Sequence, residues 1–171
     1  SNEAVKKLSY SFRWIFNGAT DSVSITYERD GEIQDKFIRR YAYATFKTDN
    51  APPAKWKKIS GNIGYVNMEE DVVTEEDLPA MMKELADTKA IIFDFRNYPG
   101  FIIDELLHYL NPAPKEFVKF IQPDFTYPGR FKWTEPVRCG SNNPNPYRGK
   151  VVILANEETQ SRSEYFVMAM Q

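Results

Sequence analysis

A nearly continuous apolar segment, Lys89–Phe95, constrains the fold of this chain more than any other feature, because it has the character of a central strand covered on both faces. A strand is also predicted at Ile59–Met68, and a helix begins after the N-cap candidate Thr74. The apolar face of that helix consists of Leu78, Met81, Met82 and Leu85. Strand, helix and strand in this order form a βαβ unit with parallel strands, so the chain is predicted to be α/β.

The N-terminal part of the chain has a different pattern. Apolar spacings of three and four predict a helix over Glu3–Phe16, and a hairpin is predicted from strands Ser22–Glu28 and Ile33–Tyr43. One helix and one hairpin are too small to form an independent core. We therefore interpret residues 1–47 as the end of a small domain, followed by a linker at residues 48–58.

The remaining sequence, residues 59–171, is predicted to be one domain. After the βαβ unit come a helix at Ile102–Leu110, a strand at Lys150–Ala155 that is expected to be buried, and a closing helix at Ser161–Met170. Between them, Pro112–Pro146 contains seven of the eleven prolines of the chain and many aromatic residues. This segment, which we call the arm, is predicted to be ordered and built from hairpins.

Composition excludes several classes of function. The net charge is −2 with mixed signs, which argues against a nucleic-acid partner or a polybasic membrane patch. Apolar runs are too short to span a bilayer. Cys139 and His108 are single residues of their types, so no disulfide and no zinc spacing is possible, and no metal or cofactor is predicted.

Two predicted strand ends carry residues suited to chemistry. The first is Asp94–Gly100, where a glycine allows a positive φ or the close approach of a ligand, and an exposed backbone N–H can stabilise an oxyanion. By itself this segment is more often an ordinary turn in which Arg96 pairs with Asp94 or a neighbour. The local pattern therefore favours the ordinary turn.

The second strand end carries Ser161, at the junction with the closing helix. A helix N-terminus offers free N–H groups and a partial positive charge, so a serine there can act as a nucleophile. Ser161 and Glu164 also fit a capping box, which is the commoner role. A nucleophilic serine needs a base, and we interpret His108, which lies among leucines, as a packed or half-exposed helix residue instead.

The order of these features resembles the catalytic domain of C-terminal-processing (tail-specific) and tricorn-type serine peptidases. The resemblance rests on Gly-Asn-Ile-Gly-Tyr-Val, then Asp-Phe-Arg-Asn-Tyr-Pro-Gly, and after the arm Ser-Arg-Ser-Glu, over about Ile59–Gln171. It implies that Ser161 is the nucleophile and that the N–H groups of Arg162 and Gly100 form the oxyanion hole. The family turn usually has two glycines, but Phe101 follows Gly100 here, so Gly100 and Phe101 both stay open as the second donor.

The resemblance implies further properties of the protein. The expected fold is a crotonase/ClpP-like layered α/β domain, preceded by the closing helix and strands of a PDZ-like domain in residues 1–47. The expected function is endopeptidase cleavage of a polypeptide in the cell envelope. The resemblance leaves it open whether the protein forms a homo-oligomer. The family's base is a lysine after the nucleophile helix or an upstream histidine, and neither position matches a residue here. The chain is therefore expected to be a fragment, inactive alone.

Two alternatives to a peptidase follow from the same sequence. A peptidase-like module that only binds polypeptides is compatible with the altered glycine turn. An acyl-CoA enzyme of the related crotonase fold would need a phosphate-binding cluster, and the sequence offers none.

Overall fold

The computed structural model describes residues 3–10, 17–41 and 54–171. They belong to two compact units that divide between Pro52 and Pro53, within the predicted linker segment 48–58. Residues 56–58 of that segment are not a linker but part of a strand of the second unit, where Trp56 packs against the hydrophobic core.

The first unit contains a short helix and a hairpin. Helix α1 (Glu3–Ser9) precedes strands β1 (Ser22–Arg29) and β2 (Glu32–Arg39), which pair antiparallel. Asp30 and Gly31 close the hairpin with positive φ values of 56° and 81°, as a two-residue turn of type I′ requires. The predicted hairpin is confirmed, although β2 ends before Tyr43, and residues 11–16 and 42–47 of the predicted unit lie outside the described residues.

The second unit combines a four-stranded sheet, helices and the arm. Its elements in chain order are β3 (Trp56–Ile59), β4 (Ile63–Asn67), α2 (Leu78–Leu85), β5 (Ala90–Asp94), α3 (Ile103–Leu110), β6 (Lys115–Val118), β7 (Ile121–Pro123), β8 (Phe131–Trp133), β9 (Val137–Cys139), β10 (Lys150–Leu154) and α4 (Arg162–Met170). The main sheet has the order β10-β5-β4-β3, with β3 antiparallel and the other three strands parallel. The mixed α/β fold is therefore confirmed.

The predicted single strand Ile59–Met68 is wrong, because a tight turn divides it into β3 and β4. Gly61 and Asn62 have φ values of 81° and 60°, which glycine and asparagine tolerate better than other residues. The chain therefore reverses at Ser60–Asn62, and Ile59 pairs with Ile63 across the hairpin. The Gly-Asn dipeptide was the available signal for this turn.

The predicted βαβ unit is confirmed by the parallel pairing of β4 with β5 on either side of α2. The four apolar residues of α2 are all buried, and they share one core with Ile91 and Phe93 of β5 and with residues of α3 and α4. Gly64 of β4 lies closely under this layer, since a Cβ there would lie 3.1 Å from Leu85 and 3.2 Å from Ile91. The other face of β5 is half-buried at Ile92, so the expected cover on both faces is incomplete.

Strand β10 differs from its prediction as a buried strand. Among the described residues it pairs only with β5 and forms the edge of the sheet. Val151 and Val152 are 37% and 41% exposed for that reason. An apolar run alone does not distinguish an edge strand from a central one.

The arm is a pair of nested hairpins, as predicted. Strands β7 and β8 pair antiparallel inside the antiparallel pair of β6 and β9. At its base Cys139 is buried, and its Sγ lies 3.8 Å from the carbonyl oxygens of both Lys115 and Ala169. The arm is thus attached to α4, the helix that follows Ser161. None of the helices in the described parts of the chain has the length and apolar character needed to cross a membrane.

Candidate active site

The carboxyl ends of β5 and β10 lie side by side and are joined through their loops. The Phe95 N–H donates to the Leu154 carbonyl oxygen over 2.9 Å. Thr159 Oγ1 donates to the Phe95 carbonyl oxygen at 3.1 Å and accepts the Asn156 N–H at 2.9 Å. The two segments singled out by the sequence therefore meet at one edge of the sheet, where α/β proteins place ligands. Sequence reasoning did not identify Thr159, whose role depends on a contact between distant segments.

Ser161 has a backbone conformation that is unusual for a residue with a side chain. Its φ is 57° and its ψ is −115°, and the Ser163 N–H donates to the Gln160 carbonyl oxygen at 3.2 Å. This is a type II′ turn with Ser161 at its second position, where glycine is the usual residue. Such a conformation costs about 1–3 kcal/mol and is found mainly where function requires it. The strain is a signal that the local sequence did not contain.

Ser161 is also the N-cap of α4, as predicted. The Glu164 carboxylate accepts the Ser161 N–H at 2.8 Å, so the capping box is confirmed. The Ser161 side chain lies toward the Glu164 N–H in the other half of this box, and its hydroxyl still keeps an O–H and a second lone pair. The capping role therefore leaves the exposed hydroxyl available for chemistry.

Asp94 holds the beginning of the segment Asp94–Gly100 in place. The Arg96 guanidinium donates to both of its carboxylate oxygens, at 2.9 Å and 2.6 Å, and the Tyr65 hydroxyl donates at 2.7 Å. These bonds, the Arg96 bonds foremost, lower the pKa of the buried Asp94 carboxyl to about 2. Burial, and then the neighbouring Asp94, raise the pKa of Tyr65. The predicted Asp94–Arg96 pair is confirmed, and it is a structural pair.

Gly100 does not need to be glycine for the conformation of the chain itself. Its φ is outside the positive range, so the suggestion that a positive φ requires this glycine is wrong. A Cβ built on Gly100 would meet no atom within 4 Å. The sequence suggested two reasons for a glycine at this position, a positive φ and the close approach of a ligand. Only the second is compatible with the structure.

The Arg162 side chain joins the two loops directly beside the candidate site residues. Its Nη1 donates to the Pro99 carbonyl oxygen at 2.8 Å and lies 3.2 Å from Glu70 Oε1. Its guanidinium carbon lies 4.1 Å from the ring centroid of Phe101. The residue after Ser161 is thus bonded to the residue before Gly100.

Two backbone N–H groups at this junction are available to a ligand. Within the described part of the chain, the N–H groups of Phe101 and Arg162 donate no hydrogen bond, whereas the Gly100 N–H faces the Met68 carbonyl oxygen across the antiparallel bridge between Glu69 and Pro99. The Arg162 N–H lies at the start of α4, where a helix leaves its first amides unpaired and carries partial positive charge. The arrangement fits a ligand oxygen that carries or develops negative charge.

His108 is not brought to Ser161. Its Nδ1 is hydrogen-bonded to Ser141 Oγ, and its ring packs edge-on against Tyr109. It lines a different cavity of about 560 Å³, together with Asp104 and Glu105. His108 is therefore an exposed residue of α3 and not a packed one.

A cavity of about 550 Å³, which we call the Ser161 pocket, opens beside the candidate nucleophile. Its lining is shared by the turn after β5, the arm and α4, and consists of Tyr98, Phe101, Phe120, Ser161, Arg162, Tyr165 and Phe166. Ser161 thus lies at the edge of a mostly aromatic pocket.

The second unit is therefore an α/β domain whose candidate site carries Ser161 near the carboxyl ends of two parallel strands, β5 and β10. Residues 62–171 match the profile of Peptidase family S41, and the chain belongs to this family. This confirms the family resemblance found in the sequence.

The structure is also similar to the crystal structure of a putative peptidase from Parabacteroides merdae, with 18% identity and a TM-score of 0.57. The match covers 99% of this chain and 59% of that one, and at this identity it supports the fold alone. A comparison with curated proteins gives no significant match.

Proposed function

We propose that this chain supplies the nucleophile and oxyanion donors of a serine endopeptidase. The observation that carries the proposal is the strained turn at Ser161, which lies beside a glycine turn in which the Phe101 N–H is unpaired. A serine kept in a glycine conformation needs a reason other than capping, since capping does not require this backbone geometry. Membership of a peptidase family supplies that reason.

In the proposed reaction, Ser161 Oγ attacks the carbonyl carbon of the scissile peptide bond. The carbonyl oxygen becomes an oxyanion that accepts the Arg162 N–H and the N–H of either Gly100 or Phe101. Collapse of this intermediate breaks the C–N bond, releases the amine with a proton and leaves an acyl-enzyme, which water hydrolyses. A single oxyanion donor is worth a factor of about 100 to 1,000 in kcat.

The general base in this proposal lies outside the described residues. No histidine or lysine among the described residues is hydrogen-bonded to Ser161, and His108 is bonded to Ser141. An unassisted serine hydroxyl is a weak nucleophile at neutral pH. The described part of the chain alone is therefore expected to be inactive, and we propose that an intact protein that supplies the base is active.

Labelling with a fluorophosphonate probe tests this assignment. In the intact protein we expect one label, mapped to Ser161 by mass spectrometry and abolished by Ser161→Ala. Ser163→Ala is the matched control, because Ser163 is 1% exposed and does not line the Ser161 pocket. Labelling that survives Ser161→Ala would exclude Ser161 as the nucleophile.

The same experiment decides the alternative of a module that only binds polypeptides. Phe101 in place of a second family glycine favours that alternative, because its side chain is 77% exposed at the Ser161 pocket. A folded intact protein that binds unfolded polypeptide but neither cleaves it nor reacts with the probe would support the binding module.

The proposal also covers the first unit and the cellular location of the protein. The β1–β2 hairpin is compatible with the end of a PDZ-like domain, a type that binds peptide termini at a sheet edge. The proposed setting is the cell envelope, on the ground of the family resemblance alone.

A further inference from the structure

The arm is packed against the helix that follows Ser161 through aromatic contacts. The Phe117 ring lies edge-on to Tyr165 with centroids 4.8 Å apart, and the Phe120 ring is stacked on Tyr165 at 6.2 Å with an interplanar angle of 14°. Tyr165 belongs to α4, one turn after Ser161. The arm therefore has a fixed position relative to the candidate nucleophile.

Phe120 is held firmly although its side chain is half exposed. Its N–H donates to Thr134 Oγ1 at 3.0 Å, and its carbonyl oxygen accepts the Thr134 N–H at 2.8 Å. These two bonds continue the ladder between the nested hairpins. Phe120 is 48% exposed and lines the Ser161 pocket. A rigidly held, exposed ring at a pocket is a suitable surface for an apolar group.

The pocket has little free charge. Arg162 is its one charged lining residue, but the guanidinium is hydrogen-bonded to Pro99, paired with Glu70 and stacked on Phe101. Its positive charge is therefore already balanced. An acidic substrate side chain would lose hydration without gaining a free cation, whereas an apolar side chain would bury surface against aromatic rings.

We propose that the arm determines substrate specificity through Phe120, which shapes the Ser161 pocket to take an apolar, preferably aromatic, side chain. The side chain is that of the substrate residue whose carbonyl Ser161 attacks. This inference rests on the proposed peptidase function and assigns a role to the arm.

Peptidyl diphenyl phosphonates test the inference, because Ser161 Oγ displaces phenol from phosphorus while the probe presents one chosen side chain. Three probes with the same peptide carry a benzyl, a methyl or a carboxyethyl group in that position. With the intact protein we expect the benzyl probe to inactivate fastest. Phe120→Ala is expected to slow the benzyl probe about tenfold and to leave the methyl probe unchanged.

Phe125→Ala is the matched control, since Phe125 lies in the same arm, is 95% exposed and does not line the pocket. It is expected to leave all three rates unchanged. Phe120→Lys adds a second, independent readout, because a free cation in the pocket should speed the carboxyethyl probe relative to the benzyl probe.

The outcomes separate this inference from the proposed function. If the fluorophosphonate labels Ser161 but the three phosphonates react equally, the specificity role of Phe120 is excluded and the peptidase assignment stands. If Phe120→Ala also loses fluorophosphonate labelling, Phe120 supports Ser161 itself and the inference is again overturned. If no probe labels the folded intact protein, the proposed function fails first.

Discussion

At the scale of single residues, the site depends on two positions where the residue type contradicts its backbone environment. Ser161 occupies a turn position suited to glycine, whereas Gly100 occupies a position that a larger residue would fit. In both cases the residue that is present suits the local backbone conformation less well than another residue type would. Such conflicts are expected at functional sites.

The strain at Ser161 predicts opposite effects on stability and activity. Ser161→Gly should relieve the positive-φ strain and raise the free energy of unfolding by about 1 kcal/mol, while it abolishes hydrolysis. Ser161→Ala should abolish hydrolysis without this gain, because alanine has the same steric conflict. Urea denaturation and a peptide-cleavage assay on the intact protein measure both. Equal stability of the two variants would contradict the strain argument.

Gly100 predicts a loss of activity without a loss of stability. Gly100→Ala should change the free energy of unfolding by less than about 0.5 kcal/mol, since the added Cβ meets no neighbour. It should lower kcat/KM at least about tenfold, because the methyl group occupies space needed by the approaching substrate. Gly129→Ala is the control with the reverse pattern. Gly129 has a φ of 80° in the arm, so alanine there should destabilise the fold and spare the reaction.

At the scale of elements, the site is built by loops that connect otherwise separate strands and helices. Arg162 at the start of α4 bonds to the turn after β5, and Thr159 before α4 bonds to Phe95, the residue directly after that strand. The proposed oxyanion donors are thus held in register by side chains, together with the bridge between Glu69 and Pro99. Catalytic geometry depends on such contacts as much as on the nucleophile.

Removal of the Arg162 side chain should therefore impair catalysis more than folding. Arg162→Met keeps most of the apolar volume over Phe101 but removes the bond to Pro99 and the pair with Glu70. We expect a loss of about 1–2 kcal/mol in stability and a fall in kcat that exceeds any rise in KM. Arg138→Met is the control, because it breaks an exposed pair with Glu116 in the arm. It should change neither the stability nor kcat by much. A change in KM alone would argue for a substrate contact instead.

At the scale of the whole molecule, the pair of the buried Asp94 with the exposed Arg96 links acid stability to the site. The pKa of Asp94 is about 2 in the folded protein and about 4 in an unfolded chain, so folding favours the carboxylate. Its contribution to stability is fully present above about pH 4 and is lost as the pH falls through about 2.

Asp94→Asn should consequently be less stable than the parent protein at pH 7, by about 1.5–3 kcal/mol, since charge-assisted bonds from Arg96 are lost. The difference should shrink as the pH is lowered from 4 to 2. Urea denaturation across this range measures it. A difference that stays constant down to pH 2 would show that the ionised pair is not its source.

Much of this architecture could be predicted from the sequence, but the contacts between distant segments could not. Periodicity identified α2 from its buried leucines and methionines, and the apolar run identified β5 as the central strand. The same reasoning missed the turn at Gly61 and the exposed position of β10, because apolar runs do not encode strand order. Thr159 and the Arg162 side chain were missed for a related reason, since their partners lie in another loop.

The nested hairpins of the arm have a consequence for how such a protein can diverge. Their main-chain bonds run almost entirely within the arm, and the arm reaches α4 near the pocket through the faces and edges of aromatic rings. A substitution at Phe120 thus leaves the central sheet and both strand-end loops intact. In the proposed mechanism, the part of the chain that performs the reaction is separate from the part that selects the substrate, so new selectivity could arise by substitutions in the arm while the chemistry is inherited unchanged.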